Sequence, residues 1–315
     1  MNILITGIAG FFGQNLSRVL LAQGHTVYGV DDLSVGKKEW LHHDVHFLKC
    51  DLKDAYESDR IARHYLKIDI IIHLASRKIP RDGLTIKTLE ENVRMMAEII
   101  YLANRFGSRI IFFSTSDVYG QQQLFDEEAF SRIGHPSNPR WSYAITKMWC
   151  EQYLFANDIP FVILRIFGSY GPYHALNWTA GPQSVFISQA LKGESFTIHG
   201  TGDQTRCFSY VDDIVDGVLR VIKSDYNREI FNLGNPTEEV SILNLATMIN
   251  NLIRPEKDTH VTFSPSMGKN FADEDVLSRK PIITKARRML DWEPKTSLLD
   301  GLKKTIEWQK TVVNA

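Results

Sequence analysis

The run Asn2-Ile-Leu-Ile-Thr6-Gly7-Ile-Ala-Gly10-Phe11-Phe12-Gly13 decides the fold. Its first five residues are short and apolar enough for a buried strand, and glycine follows at once at positions 7, 10 and 13. Glycine permits a tight turn and lets a pyrophosphate approach backbone N–H groups at a helix N-terminus. Residues 14–23 then carry Leu16, Val19 and Leu20 at helical spacing. A second apolar strand over 26–31 ends in Asp31 and Asp32. Strand, glycine loop, helix, strand, acid is the pattern of a dinucleotide-binding βαβ unit. Asp31 lies 18 residues beyond Gly13, close to the distance of the acid that binds a ribose 2′-hydroxyl. A carboxylate there repels a 2′-phosphate, so NAD is expected rather than NADP. The glycine spacing is G-x-x-G-x-x-G, a departure from the commoner G-x-G-x-x-G.

Working outward, the alternation continues. Strands are expected over 45–49, 68–73, 109–113 and 160–166, with a long helix over 84–106. That rhythm predicts an α/β fold, a Rossmann-type doubly wound parallel sheet whose ligands bind at the carboxyl ends of the strands. Residues just past each strand therefore matter most. Asp51 and Leu52 follow the third strand, where Asp51 is placed to meet an adenine amino group, and Leu74, Ala75 and Ser76 follow the fourth. Alternation is lost near residue 170. Beyond it we expect helices over 184–192, 211–222, 242–253, 284–290 and 298–310, strands over 196–199 and 229–233, and a charged loop over 254–280. The division is a cofactor domain over 1–170, with a return segment near 210–235, and a smaller substrate domain over 171–315.

Composition excludes several classes of function. The 315 residues are 43% hydrophobic and 23% charged, with net charge −1. Near-neutral charge offers no footprint for nucleic acid or an anionic membrane. No apolar run approaches the roughly 18 residues that span a bilayer, and the N-terminus reads as a strand rather than a leader. Three cysteines, Cys50, Cys150 and Cys207, have no metal-ligand spacing. Reduced, buried thiols in a cytoplasmic protein without a metal are expected.

Two constellations carry chemistry. The fifth strand runs into Ser114-Thr115-Ser116-Asp117-Val118-Tyr119-Gly120, hydroxyls and a carboxylate at a strand's carboxyl end. A self-bonded turn is the bland account of such a cluster. Further on comes Tyr143-Ala-Ile-Thr-Lys147. On a helix, positions four apart share a face. A cation there is expected to lower the phenol's pKa and make Tyr143 a general base for a hydroxyl group. Y-x-x-x-K alone also describes many surface pairs. The acidic run Asp126, Glu127, Glu128 is expected to be a solvated face.

Taken together, the glycine loop, residues 114–120, Tyr143 with Lys147, Arg165 with Tyr170-Gly-Pro172, and Arg206 with Tyr210-Val-Asp-Asp213 resemble the extended short-chain dehydrogenase/reductases acting on nucleotide sugars. The likeness runs in order through the whole chain. It implies an NAD-dependent, usually homodimeric enzyme that oxidises the sugar at C4. Tyr143 would take the 4-hydroxyl proton, Lys147 would hold the nicotinamide ribose, and Thr115 would hydrogen-bond the same 4-hydroxyl. Phe11, Phe12, Asp32, Asp51, Leu52, Leu74, Ala75, Ser76, Lys78 and Asn92 would line the cofactor site. Arg206 and Arg279 would meet the nucleotide-diphosphate sugar, where a guanidinium pairs bidentately with phosphate or carboxylate.

The resemblance leaves the step after C4 oxidation open among 4-epimerisation, 4,6-dehydration and decarboxylation. A protein that binds NAD without catalysis is a further alternative on such a fold. Thr115-Ser116-Asp117, Pro139-Arg-Trp141 and Arg279-Lys-Pro281 with Asp291-Trp-Glu-Pro294 look like the bacterial UDP-glucuronate decarboxylases. Ser116, Asp117 and Arg279 would then be the added catalytic set. Three features depart from that subgroup. Asp117 stands where Glu is expected, which retracts the carboxylate by about 1.5 Å. Gly168 replaces a common Asn, and residues 177–183 differ in character.

Overall fold

The computed structural model describes residues 1–78, 85–177, 181–264 and 278–313. The chain divides into two compact units: one of Met1–Val118, Pro139–Arg165 and Leu219–Phe231, the other of Tyr119–Asn138, Ile166–Val218 and Asn232–Ala315.

The first unit is built on a seven-stranded sheet. In chain order the strands are β1 (Asn2–Thr6), β2 (Thr26–Asp31), β3 (His46–Lys49), β4 (Ile70–His73), β5 (Arg109–Thr115), β6 (Phe161–Ile166) and β11 (Glu229–Leu233). In space they run β11-β6-β5-β4-β1-β2-β3. The pairs β1–β2, β1–β4, β2–β3 and β4–β5 are parallel, with Ile3 opposite both Val27 and Ile70. Ile3, Leu4 and Ile5 are wholly buried, as they must be in a strand covered on both faces. Strand order reverses between β1 and β4, and a sheet of this kind binds its ligand beside that reversal.

Helices α1 (Phe11–Ala22), α2 (Ala55–His64), α3 (Thr85–Phe106) and α4 (Ser142–Phe155) connect the strands. The expected start of α3 at Leu84 lies outside the described residues. Helix α2 escapes the sequence reading because it is short and polar. Its signals are the Asp54 cap, which accepts from Tyr56 N at 2.9 Å, and the buried pair Ile61 and Ala62. Strand β5 runs two residues further than the apolar run predicts, so Thr115 is its last residue. The segment 219–231 is tied to the start of β5 through Arg109. Its guanidinium donates to the carbonyls of Val221, Ser224 and Tyr226 at 3.0, 2.8 and 2.5 Å.

The second unit has short paired strands and the remaining helices, α5 (Pro182–Lys192), α6 (Val211–Lys223, whose last turns belong to the first unit), α7 (Ile242–Ile253), α8 (Thr284–Leu290) and α9 (Leu298–Val313). β7 (Ser169–Tyr170) pairs with β10 (Ser209–Tyr210), β9 (Thr205–Cys207) with β12 (Glu239–Ser241), and β8 (Phe196–His199) with β13 (Val261–Ser264). β13 corrects the expected loop over 254–280. Its middle residues Thr262 and Phe263 are exposed, so no apolar alternation announces it. Residues 265–277 of that stretch are outside the described residues. The acidic run is also corrected: Glu127 is buried and accepts from Asn232 N at 2.8 Å, while Tyr119 donates to Asn232 Oδ1 at 2.7 Å. Asp213 is structural here. Its carboxylate accepts from Lys295 N and Thr296 N at 3.1 and 3.0 Å, and its carbonyl accepts from the buried Trp292 indole at 2.9 Å.

Candidate active site

Two glycines shape the candidate cofactor cradle. Gly7 has φ +70°, and a Cβ there would lie 2.8 Å from Ala75 N. A Cβ on Gly13 would lie 2.4 Å from Ile8 O. The loop is therefore drawn against both β4's exit and its own helix, leaving the start of α1 bare of side chains at Gly10. Beside it, Asp31 accepts from Ala9 N at 2.9 Å and Leu33 N at 2.8 Å. Burial raises the Asp31 pKa, and those two N–H groups oppose the rise. This cradle fits a dinucleotide: close backbone approach at a helix start, with a part-buried carboxylate at the end of the neighbouring strand.

Other expected cofactor residues group around it. Asp32 and Asp51 share Lys53, whose Nζ lies 3.8 and 3.3 Å from their carboxylates and 3.8 Å from Glu91. Buried Leu52 faces the core. Thr6 Oγ1 accepts from Leu74 N and Ala75 N, each at 3.2 Å, and bonds His73 Nδ1 at 2.8 Å. Thr6 and His73 were missed in the sequence, where only their positions at strand ends mark them. His73 is fully enclosed, and burial drops its pKa to about 3, so it is neutral. Asn92 is committed to protein groups. It accepts from Arg77 N at 2.8 Å and Ser76 Oγ at 3.3 Å, and donates to Arg77 O at 2.9 Å and Thr146 Oγ1 at 3.1 Å. It thereby fixes the loop carrying Ser76 and Lys78 to α3 and α4. Phe12 packs edge-on against Phe113 with ring centres 5.1 Å apart, and Phe11 lies beside Phe12.

The catalytic candidates converge at the end of β5. Thr115 and Ser76 lie near enough to the Tyr143 phenol to favour its ionised form. Lys147 donates to Phe113 O at 2.8 Å, sits 4.6 Å from the Phe112 ring centre and 5.9 Å from that of Tyr143. This corrects the expected pKa. Burial, then the charge of Asp117, push Tyr143 up, and burial pulls Lys147 down to about 8. Low-dielectric surroundings favour the neutral form of each group, and the ammonium is directed at a carbonyl and a ring face rather than the phenol oxygen. Neighbouring Ser76 and Thr115 are what favour a Tyr143 phenolate in the protein alone.

Asp117 and Ser116 are buried in the turn after β5, and Asp117 Oδ1 accepts from Arg140 Nη2 at 2.8 Å. One layer deeper, Ser114 bonds Glu151, which Arg165 holds with Nε at 3.1 Å and Nη2 at 2.7 Å. In the second unit Arg206 donates to Thr205 O at 2.8 Å, and Arg279 is half-buried. Gly168 has a local reason: a Cβ there would lie 3.1 Å from Cys207 O. Of residues 177–183, Trp178, Thr179 and Ala180 are outside the described residues. Cys50, Cys150 and Cys207 are free and buried. Among the described residues His42, His43 and Asp44 form one exposed group of potential metal ligands, and no helix is long and apolar enough to cross a membrane.

The profile of the NAD dependent epimerase/dehydratase family matches residues 3–234, and the chain belongs to that family. It is an NAD-dependent enzyme of the extended short-chain dehydrogenase/reductase type. It is 35% identical over 314 residues to UDP-glucuronic acid decarboxylase 1 of Danio rerio, covering 97% of this chain and 72% of the relative. With the UDP-N-acetyl-alpha-D-glucosaminuronate decarboxylase of Bacillus cytotoxicus it shares 33% identity, over 99% of this chain and 98% of the other. Among solved structures, the UDP-glucose 4-epimerase of Thermotoga maritima with UDP-glucose superposes with a TM-score of 0.88 at 29% identity, covering 99% and 100% of the two chains.

Proposed function

We propose that the protein oxidises C4 of a nucleotide-diphosphate sugar and that its reaction is decarboxylation of a UDP-glucuronate-type substrate. The observation that carries the first step is Tyr143 in the first turn of α4 with Thr115, the last residue of β5, beside its phenol and favouring its ionised form. A sugar hydroxyl placed at these two side chains meets a proton acceptor and a hydrogen-bonding partner together. NAD, when bound, supplies the acceptor for the hydrogen at C4. Gly7, Gly10, Phe11, Phe12 and Gly13 would hold its pyrophosphate, Asp31 and Asp32 its adenine ribose, Asp51 and Leu52 its adenine. Leu74, Ala75, Ser76, Lys78 and Asn92 would line the remainder, and Lys147 would hold the nicotinamide ribose.

Oxidation at C4 of a glucuronate makes a β-keto acid, which loses carbon dioxide when the resulting enolate is stabilised by nearby donors. Thr115 and Ser116 supply hydroxyl donors, and a proton must return to C5. Asp117, Arg206 and Arg279 complete the proposed set, the arginines for the substrate's anionic groups. Support for decarboxylation is the identity to two uronate decarboxylases. Within this reading, the segments of the second unit form the substrate domain.

The favoured alternative is 4-epimerisation. Asp117 is short and already paired with Arg140, and the T. maritima structure is that of an epimerase. Dehydration and binding without catalysis rank below it. NMR of the products from UDP-glucuronate decides among them. Carbon dioxide release with a pentose product supports decarboxylation, a C4-inverted uronate replaces it with the alternative, and no turnover of any nucleotide sugar sinks the enzyme assignment.

A homodimer belongs to the same proposal. Helix α3 exposes Ile86 and Leu89, with Val93 half-exposed on the same stripe, and α4 exposes Ile145 and Trp149. Apolar side chains in such a stripe suit a helix-to-helix interface. A cytoplasmic location is proposed too, supported by three unpaired thiols.

A further inference from the structure

Ala9, inside the glycine loop, is held through both of its peptide groups. Its N–H donates to Asp31 Oδ2 at 2.9 Å, and its carbonyl accepts from Lys37 N at 3.1 Å. The segment that leaves Asp31 and Asp32 therefore folds back across the glycine loop. The approach is close, because a Cβ on Gly36 would lie 2.6 Å from Ala9 Cβ and 2.9 Å from the Ala9 carbonyl carbon. A residue without a side chain lets the two segments touch there.

One side chain closes this crossing. Gln14, wholly buried in the first turn of α1, donates from Nε2 to Lys37 O at 3.0 Å and to Ala9 O at 3.3 Å. Its amide oxygen accepts from Arg18 Nη1 at 3.0 Å, which leaves the amide nitrogen facing the two carbonyls. Arg18 reaches the same segment, donating from Nη2 to Trp40 O at 2.5 Å. The Gln14 amide thus bridges the loop read as the pyrophosphate cradle and the segment that follows the ribose acid.

We propose that Gln14 is a positioning residue for NAD, clamping Gly36 and Lys37 across Ala9 so that Asp31 is presented to the adenine ribose. The inference rests on reading the glycine loop and Asp31 as the cofactor site, and it deepens that reading. A clamped segment is ordered before the cofactor arrives. Without the clamp it must be ordered on binding, and that cost is subtracted from the affinity. The position calls for a neutral donor. An acid of the same length would turn a carboxylate towards two carbonyls, and an apolar side chain would lose both bonds. The effect also has a place. It acts at the adenosine end, so ADP-ribose, which lacks the nicotinamide, loses affinity by the same factor as NAD. It acts through Asp31, so it shrinks when that carboxylate is gone.

The test is calorimetry on the full-length protein freed of nucleotide, titrated with NAD and with ADP-ribose. Gln14→Met keeps the length of the side chain and removes both donors, and it is expected to weaken both ligands about 10-fold. Gln14→Glu is expected to weaken them at least as much. In an Asp31→Ala background Gln14→Met should cost no more than about 3-fold, because residues that act as a unit do not add. Unchanged affinity in the Gln14 variants, a loss for NAD without one for ADP-ribose, or full additivity with Asp31→Ala overturns the proposal. If Gln14→Met does not fold, Gln14→Glu carries the same decision. Failure of both to fold also overturns it, since the amide would then hold the fold rather than the site. A parent that binds neither ligand overturns the cofactor-site reading and this inference together. A parent that binds both, with Gln14 variants that match it, overturns this inference alone.

Discussion

Arg165 grips both carboxylate oxygens of Glu151, at 3.1 and 2.7 Å, one helical turn beyond Lys147 on α4. The pair is buried and Ser114 on β5 adds a third bond, so the helix that presents Tyr143 is bolted to β5 and β6 from beneath. Removing one member leaves a buried charge without its partner, which costs about 3–5 kcal/mol. Arg165→Met is therefore expected to lower stability by that order in urea unfolding. Replacing both residues by Met should cost clearly less than the single change.

Lys147 makes stability depend on pH. Its pKa falls from 10.5 unfolded to about 8 folded, so the folded state releases the proton first. Below pH 8 both states are charged and the full cost of burying the ammonium is present. Stability rises as pH climbs from about 8 to 10.5 and the cost is gone above that window. The gain is roughly 3 kcal/mol, at about 1.4 kcal/mol per unit. Urea unfolding across that range should show the rise in the parent and its absence in Lys147→Met, which is also expected to be inactive.

Asp31 should decide between cofactors. Asp31→Ala removes the acceptor of Ala9 N and Leu33 N and the charge that repels a 2′-phosphate. Calorimetry is expected to show NAD binding weakened at least about 10-fold, with the preference for NAD over NADP reduced. Unchanged affinity for both would remove Asp31 from the ribose site.

Asp117→Asn separates the possible outcomes of the reaction. An epimerase should keep activity within several-fold, because its ketone needs no acid or base beyond Tyr143. A decarboxylase should lose on the order of 100-fold, the scale set by misplacing a reacting group. Steady-state rates with UDP-glucuronate, product identity checked by NMR, distinguish the two.

Much of this was readable beforehand because it rests on local rules. The strand from Asn2 to Thr6, the glycines and Asp31 announce themselves by spacing, and Tyr143 and Lys147 by helical period. What escaped depended on distant partners. Nothing near Glu127 in the sequence says that it will be buried against Asn232, or that Asp117 will meet Arg140. The direction of the Tyr143 shift was misread for the same reason. Spacing places a lysine four residues away, but only the fold shows its ammonium drawn to Phe113 O and the phenol enclosed. β13 was missed because half of its side chains face solvent.

The outermost strand of the large sheet comes late in the chain. β6 ends at Ile166, yet its neighbour β11 begins only at Glu229, joined through Arg228 N to Phe161 O at 2.8 Å. During synthesis at about 5–20 residues per second, β6 waits several seconds as a bare edge. A gene fragment stopped near residue 170 would keep that edge permanently and leave Arg109 without its three carbonyls. The first 170 residues are therefore expected to aggregate when expressed alone, although the glycine loop and the Tyr143–Lys147 pair lie before the cut.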